Sequence, residues 1–195
     1  MGPSIVDDLP PEELRFHWKS GRLCLDFVAT VGERWRRAFE RLPAPEDFAR
    51  WTAEAGVLTE PPSVSGRQLA AARALREAIN RLARPGVEPH PGDREKVNRW
   101  AARAPLAPQL TAGGELVWVA ARPVEAVLAT IARDAADLLT GPWAGRIREC
   151  GAPDCALLFL DTSRPGGRRW CSTEACGNRA RTKAYRRRRQ AGEAR

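Results

Sequence analysis

Four of the chain's five cysteines stand close together near its end, at positions 150, 155, 171 and 176. Cys150 and Cys155 enclose the four residues GAPD, Cys171 and Cys176 enclose STEA, and fifteen residues lie between the two pairs. That spacing restricts what the segment can become. Zn2+ takes four ligands at the corners of a tetrahedron, and two short cysteine-bearing turns can each supply two thiolates from one side. Gly151, Pro153 and Asp154 suit a tight turn. The spacer has the usual length for a four-cysteine zinc site, and the inner gaps fall within the range of zinc-ligand pairs.

The spacer itself, ALLFLDTSRPGGRRW, runs from apolar residues through a turn rich in Ser, Pro and Gly and back through Arg168 to Trp170. This predicts a hairpin that returns the second cysteine pair to the first. Asp161, Thr162 and Ser163 are expected to fix the turn through local hydrogen bonds. Two disulfides, four unrelated buried thiols and an iron–sulfur cluster are the alternatives. The N-terminal MGPSIVDDLPPEELRFHW is acidic and lacks the apolar segment of a secretory signal, and no run approaches eighteen apolar residues. A reducing, cytoplasmic setting is therefore expected, in which paired cysteines hold one structural Zn2+. A closed set of four thiolates leaves no coordination position for catalysis. Cys24 stands alone in an apolar stretch and reads as a buried, inert thiol.

Charge is concentrated in the same region. From Arg164 to Arg195 there are eleven Lys or Arg against two Glu, while the whole chain carries +8, so the remainder is close to neutral. A near-neutral body with a cationic end points to a polyanionic partner.

The body reads mainly as helix. In RLCLDFVATV, Leu23, Phe27 and Val31 fall at helical spacing, with a strand as the alternative because of its β-branched residues, and APEDFARWTAEAGVL begins with acidic residues and meets Gly56 near its end. From Gln68 to Ala83, Leu69, Ala72, Leu75, Ile79 and Leu82 form one apolar stripe, with Arg73, Glu77 and Arg81 opposite. TEPPSVSG and RPGVEPHPGD are loops. Asp93 is a candidate cap for a helix to about Ala104 with Val97 and Trp100 inward. Gly113-Gly114 separates two short runs that predict a hairpin. PVEAVLATIARDAADLLTG is the clearest helix, with Pro123 at its start and Gly141 at its end. Seven Trp supply material for a core.

Two parts of this sequence are similar to known families. CALLFLDTSRPGGRRWCSTEACGNRARTKAYRRR resembles the CGNR-type zinc finger, whose motif stands here as Cys176-Gly177-Asn178-Arg179. Upstream, LCLDFVATVGER, PEDFARWTAEAGVL and ALREAINRL resemble the ABATE domain that commonly precedes that finger. The resemblance implies a stress-induced transcription regulator whose zinc-ribbon-like end binds nucleic acid, and it carries Cys150, Cys155, Cys171 and Cys176 over as zinc ligands. The sequence departs from the family at Ala29, where Asn is expected.

The resulting fold class is mainly α with a small β-hairpin. Residues 1–145 form a helical ABATE-like domain, serving as sensor or dimerisation unit. Residues 146–195 form a four-cysteine zinc-ribbon-like or treble-clef-like finger ending in a basic helix. At about 100° per residue, Arg179, Lys183, Arg186 and Arg187 share one face of that helix. Zinc would order this face against phosphates, with Arg168 and Arg169 as further clamps and DNA favoured over RNA. Asn178 either reads a base edge or caps the helix, and Tyr185 either packs or stacks. The alternative is a zinc-stabilised protein-interaction module without nucleic-acid binding. His17 and His90 lack metal-ligand spacing, and His17 reads as ordinary packing or surface, so no catalysis is expected. A homodimer and a small-molecule effector of the body are left open.

Overall fold

The two longest helices of the body form where apolar residues recur most regularly. The computed structural model describes residues 10–164 and 166–193, with the side chains of Arg187 and of residues 191–193 outside that description. Helix α1 spans Leu23–Val28, strands β1 and β2 Val31–Gly32 and Phe39–Glu40, and α2 Pro45–Glu54. Helices α3 and α4 follow at Gly66–Ala83 and Asp93–Ala101, strands β3 and β4 at Ala107–Leu110 and Leu116–Val119, and α5 at Pro123–Thr140. A short 3-10 turn, Ala144–Arg146, leads into strands β5 Ile147–Glu149 and β6 Leu158–Leu160. A π-helical turn, Thr173–Gly177, runs into α6, Asn178–Glu193. The strands pair in sequence as three antiparallel hairpins. This is the mainly helical fold that the sequence predicts; the hairpin read from Gly113-Gly114 is β3–β4, the one read in the cysteine spacer is shifted to β5–β6, and β1–β2 is additional.

Local chemistry sets the helix starts. Ser65 Oγ accepts from Gln68 N at 3.2 Å while Gln68 Oε1 accepts from Ser65 N at 2.9 Å, a reciprocal capping box at α3. Pro45 and Pro123 begin α2 and α5, where a missing N–H costs no helical hydrogen bond. The apolar stripes of α3 and α5 then meet: Leu69, Ala72, Leu75 and Ile79 join Val124, Val127, Leu128, Ile131 and Leu138 in one core. Burying one such aliphatic side chain contributes roughly 1.5–3 kcal/mol, well above any difference in intrinsic helix propensity. Helix α1 is pinned to α5 by Asp134, which accepts from Arg22 Nε and from Cys24 N, both at 2.8 Å. Cys24 is fully buried, and burial pushes its thiol well above the usual range, consistent with an inert role.

Several local readings change. The helix at Leu23 stops at Val28, and Val31 pairs with Glu40 in β1–β2. Asp93 does not cap α4. The cap position is Gly92, in a left-handed conformation (φ +87), and the buried Asp93 carboxylate receives Arg81 twice at 2.7 Å. Only Trp51 among the tryptophans is fully buried, whereas Trp18, Trp35, Trp118 and Trp143 are 39–46% exposed. Trp51 fits because it stacks on Phe48 and tilts against Phe27 inside a continuous aromatic cluster.

The polar side of α3 is also not a solvated face. Arg76, 1% exposed, donates to both oxygens of buried Glu40 at 2.6 and 2.7 Å and to Thr30 Oγ1 at 3.0 Å. Its Nε reaches Glu77, which in turn receives Arg34 at 2.7 and 3.2 Å. Arg73 donates to the carbonyls of Leu42 and Pro43. These bonds tie α3 to the β1–β2 segment, because a buried guanidinium is tolerated only where its donors are matched. Replacing Glu40 by Ala would take the carboxylate from both Nη nitrogens of buried Arg76, leaving it only Glu77 at Nε and Thr30 at Nη1. The expected outcome is a loss of about 3–5 kcal/mol, measured as a lower urea midpoint with an unchanged slope.

Candidate metal centre and basic helix

The metal centre starts from strand alternation. In β6, Leu158 and Leu160 face the helical core while Phe159, between them, joins Cys150, Cys171 and Cys176 in a second buried cluster. Ile147 of β5, paired with Leu160, also faces the helical core. The hairpin therefore has one side in the body and the other under the thiols. It also forms earlier than the spacer predicts. Strand β6 pairs with β5, ahead of Cys150, so the first cysteine pair sits in the hairpin's own turn, closed by Cys150 N to Leu157 O at 3.0 Å and Cys155 N to Ala152 O at 3.1 Å. The return segment is not a strand; it joins through Gly151 N to Arg169 O at 3.0 Å.

Asp161 turns the chain between the pairs. Its buried carboxylate accepts from Ser163 N at 3.0 Å, Ser163 Oγ at 2.6 Å and Arg168 N at 2.8 Å. These bonds, Ser163's first, hold the carboxyl down to about 2. Local hydrogen bonds thus fix the turn, as the sequence predicts for Asp161 and Ser163, while Thr162 is exposed and takes no part in these three bonds. The second pair frames the π-helical turn, where Ser172 Oγ accepts from Ala175 N at 3.2 Å. Gly177 is buried, and a Cβ there would lie 3.3 Å from Trp170 Cδ1 and 3.5 Å from the Ser172 carbonyl oxygen, so the motif's glycine admits the indole.

The four sulfurs all lie within 4.8 Å of one another, with Cys155 to Cys171 at 3.9 Å and Cys171 to Cys176 at 3.5 Å. Tetrahedral Zn–S bonds of about 2.3 Å place sulfurs about 3.8 Å apart. The group fits one such ion, and all five cysteines are free of disulfides. Two donors already address the sulfurs: Cys171 N to Cys150 at 3.5 Å and Arg179 Nη2 to Cys176 at 3.2 Å. Without a metal, hydrogen bonds from Cys155 and Cys171 hold Cys150 far below the usual thiol range, while donation to Cys150 pushes Cys155 up to about 12. A divalent cation bound by these sulfurs would let all four ionise together.

The basic side chains follow directly. Helix α6 begins two residues after Cys176. Of its candidate contacts, Asn178, Arg179, Lys183 and Arg186 are exposed, and Arg187 lies among the side chains outside the described residues. Ala180 and Ala184 are the half-buried positions of the helix, on its inner side. Arg169 is exposed, with its guanidinium 4.7 Å from the Trp170 ring. Arg168 is more engaged. It donates to Trp170 O at 2.9 Å and Cys171 O at 2.6 Å and lies over Phe159, so it braces the second cysteine turn. Asn178 does not cap α6; its Oδ1 accepts from Arg181 at 2.5 Å, and Ser172 takes the capping role one turn earlier. A Ser directly after Cys171 was the available signal. Arg179 also approaches Asp154 at 3.6 Å, tying the two cysteine turns together.

His17 and Cys155 share a feature that their sequence positions do not reveal. Both line a cavity of about 280 Å³ between the body and the cysteine turns. His17 is neither plain packing nor plain surface. Its Nε2 lies 3.2 Å from Arg41 Nη2, and burial, then Arg41, lowers it to about 4.

The geometry makes the metal centre testable. The purified chain should carry one Zn2+, Cys171→Ser should carry less than a tenth of that occupancy, and chelation should abolish α6's protection from hydrogen exchange. Protons compete with zinc for thiolates, so affinity should fall as pH is lowered from 8 to 6; elemental analysis and competition titration read both.

Among the described residues no helix is long and apolar enough to cross a membrane. No curated protein matches the chain. A family model described as "CGNR zinc finger" matches residues 146–189, which hold all four clustered thiols. The model for ABATE, described as "Putative stress-induced transcription regulator", matches residues 21–142, more than half of the chain. The helical body, with a four-cysteine zinc finger built onto its last hairpin, thus belongs to the ABATE family.

Proposed function

We propose that the protein is a zinc-dependent, nucleic-acid-binding regulator that prefers duplex DNA over RNA. One observation carries this reading: the last thiol of the metal group lies two residues before a helix whose described side chains from Arg181 onward are all exposed except Ala184. Zinc binding by Cys150, Cys155, Cys171 and Cys176 would fix the direction of that helix. It would then act as an ordered cationic rod instead of a free tail, and ordered charge loses less entropy on contact with phosphates.

Within this reading the residues divide by what they touch. Lys183 and Arg186 have no hydrogen-bond or ion-pair partner among the described residues and are the primary phosphate contacts. Arg179 and Arg168 hold the cysteine turns in place and reach the backbone of the nucleic acid only with the donors left over. Arg169, stacked on Trp170, flanks the helix. Arg187 completes the face by sequence spacing. Asn178, held by Arg181, would need to release that bond to read a base edge. The near-neutral body leaves the finger as the main source of attraction. The family's description supports a regulatory role, and stress as its trigger comes from that description alone.

Binding of the zinc-loaded chain to random duplex DNA, followed by fluorescence anisotropy, should weaken steeply with salt. Each phosphate contact contributes about −0.9 to the log–log slope. The Lys183→Glu, Arg186→Glu double variant should flatten that slope by about 2 while retaining zinc. Absence of binding to both DNA and RNA at low salt would remove this function.

A further inference from the structure

The cavity of about 280 Å³ between body and finger is walled on one side by Ala29, Val31, Phe39, Arg41 and His17, and on the other by Ala156, Leu157 and three of the clustered cysteines. Its charges are unevenly matched. Glu13 and Glu33 are both paired with Arg37, at 2.7 and 2.9 Å, and Asp154 faces Arg179 at 3.6 Å. Glu12 and Lys19 are exposed and of opposite sign. Arg41 is different. It is 4% exposed, and among the described residues no carboxylate lies within ion-pair distance of it.

The donors of Arg41 can be counted. Nε donates to Glu13 O at 2.7 Å, Nη1 to Ala29 O at 3.0 Å, and Nη2 meets His17 Nε2 at 3.2 Å. A guanidinium has five N–H groups. One on Nη1 and one on Nη2 therefore lack an acceptor among the described residues, which is the pair that a carboxylate takes bidentately. The plane is held by Phe39, whose ring lies 4.6 Å from the Arg41 carbon. Gly32 makes room for that ring, because a Cβ there would lie 2.2 Å from Phe39 Cζ. The rim between β1 and β2 holds Glu33 and Ala38 at φ +41 and +48, left-handed conformations unusual for residues with a Cβ. Strain of this kind concentrates at ligand clamps and switches.

We propose that this cavity binds a small organic monoanion, its carboxylate seated on Arg41 and its short apolar part against Val31, Phe39, Ala156 and Leu157. The volume is just under the roughly 300–1,000 Å³ of common ligand pockets, so the occupant is compact. A dianion is disfavoured, because Glu12, Glu13, Glu33 and the thiols surround the same space. The occupant would touch helical body and cysteine turns at once, so its binding would be felt at the metal centre.

The test uses the zinc-loaded full chain and three probes: acetate, isobutyrate and benzoate, each against its amide, at constant ionic strength in chloride. Side-chain Arg Nε–H resonances are followed by NMR. At least one carboxylate should shift the Arg41 signal saturably, with its amide about tenfold weaker or worse. Saturation transfer to the carboxylate's own protons reads binding where the Arg41 signal is absent: Arg41→Gln should abolish it, and Ala156→Leu, which fills the cavity and leaves Arg41 in place, should abolish both it and the Arg41 shift. If no carboxylate acts above chloride, or if binding survives both substitutions, the site is wrong. If Arg41→Gln weakens zinc retention and no carboxylate binds, the thiolate centre balances Arg41 and the proposal fails. DNA binding is scored separately by anisotropy, so its loss leaves the carboxylate site standing and the failure of that site leaves DNA binding standing.

Discussion

Strand alternation at Leu158, Phe159 and Leu160 is the constraint on which the rest of this molecule depends. Side chains on a strand point to opposite faces with a period of two, so three consecutive large apolar residues cannot share one core. Here they serve two. Leu158 and Leu160 complete the helical body, and Phe159 floors the thiol cluster. The finger is thereby fused to the body. Leu160 N donates to Ser20 O at 2.8 Å, and the Glu149 carboxylate takes Trp35 Nε1 at 2.5 Å and Arg84 Nε at 3.1 Å. A metal event at the thiols is mechanically close to α1 and to the cavity beside it.

Charge is used in two opposite ways. In the body, buried Arg76 is matched with Glu40 and half-buried Arg81 with buried Asp93, and these pairs fix how helices meet loops. Matched burial adds little net stability, but removal of one partner is costly, so these pairs act as registration points. On α6 the described cations are exposed, and Lys183 and Arg186 among them have no carboxylate partner among the described residues, which costs little in water and leaves these two open to a polyanion. Arg168 and Arg179 stand between these regimes, with one edge bonded to the cysteine turns and the remainder facing outward.

Much of the helical framework could be read directly. The stripes of α3 and α5 and their Pro, Ser and Gly boundaries are local signals, and local signals survive in a linear sequence. The four cysteines were equally plain, because ligand spacing reflects the reach of short turns. Less legible was anything that depends on who faces whom. Arg73, Glu77 and Arg81 look like a solvated helix face until β1–β2 and α4 are laid over them. His17 looks ordinary until the chain returns with Arg41. The hairpin was shifted because β5, a three-residue strand, leaves almost no pattern before Cys150.

The sequence by itself determined the helical class, the gathering of thiols around one ion and the concentration of positive charge at one end. Each of these is set by residue type and by spacing along the chain. The tertiary structure alone decided that the finger shares a hairpin with the body, that Arg168 braces the cysteine turns, and that Arg41 faces a cavity with donors to spare. Those outcomes depend on which surfaces meet after folding, and burial and hydrogen-bond satisfaction are properties of such meetings rather than of any one segment.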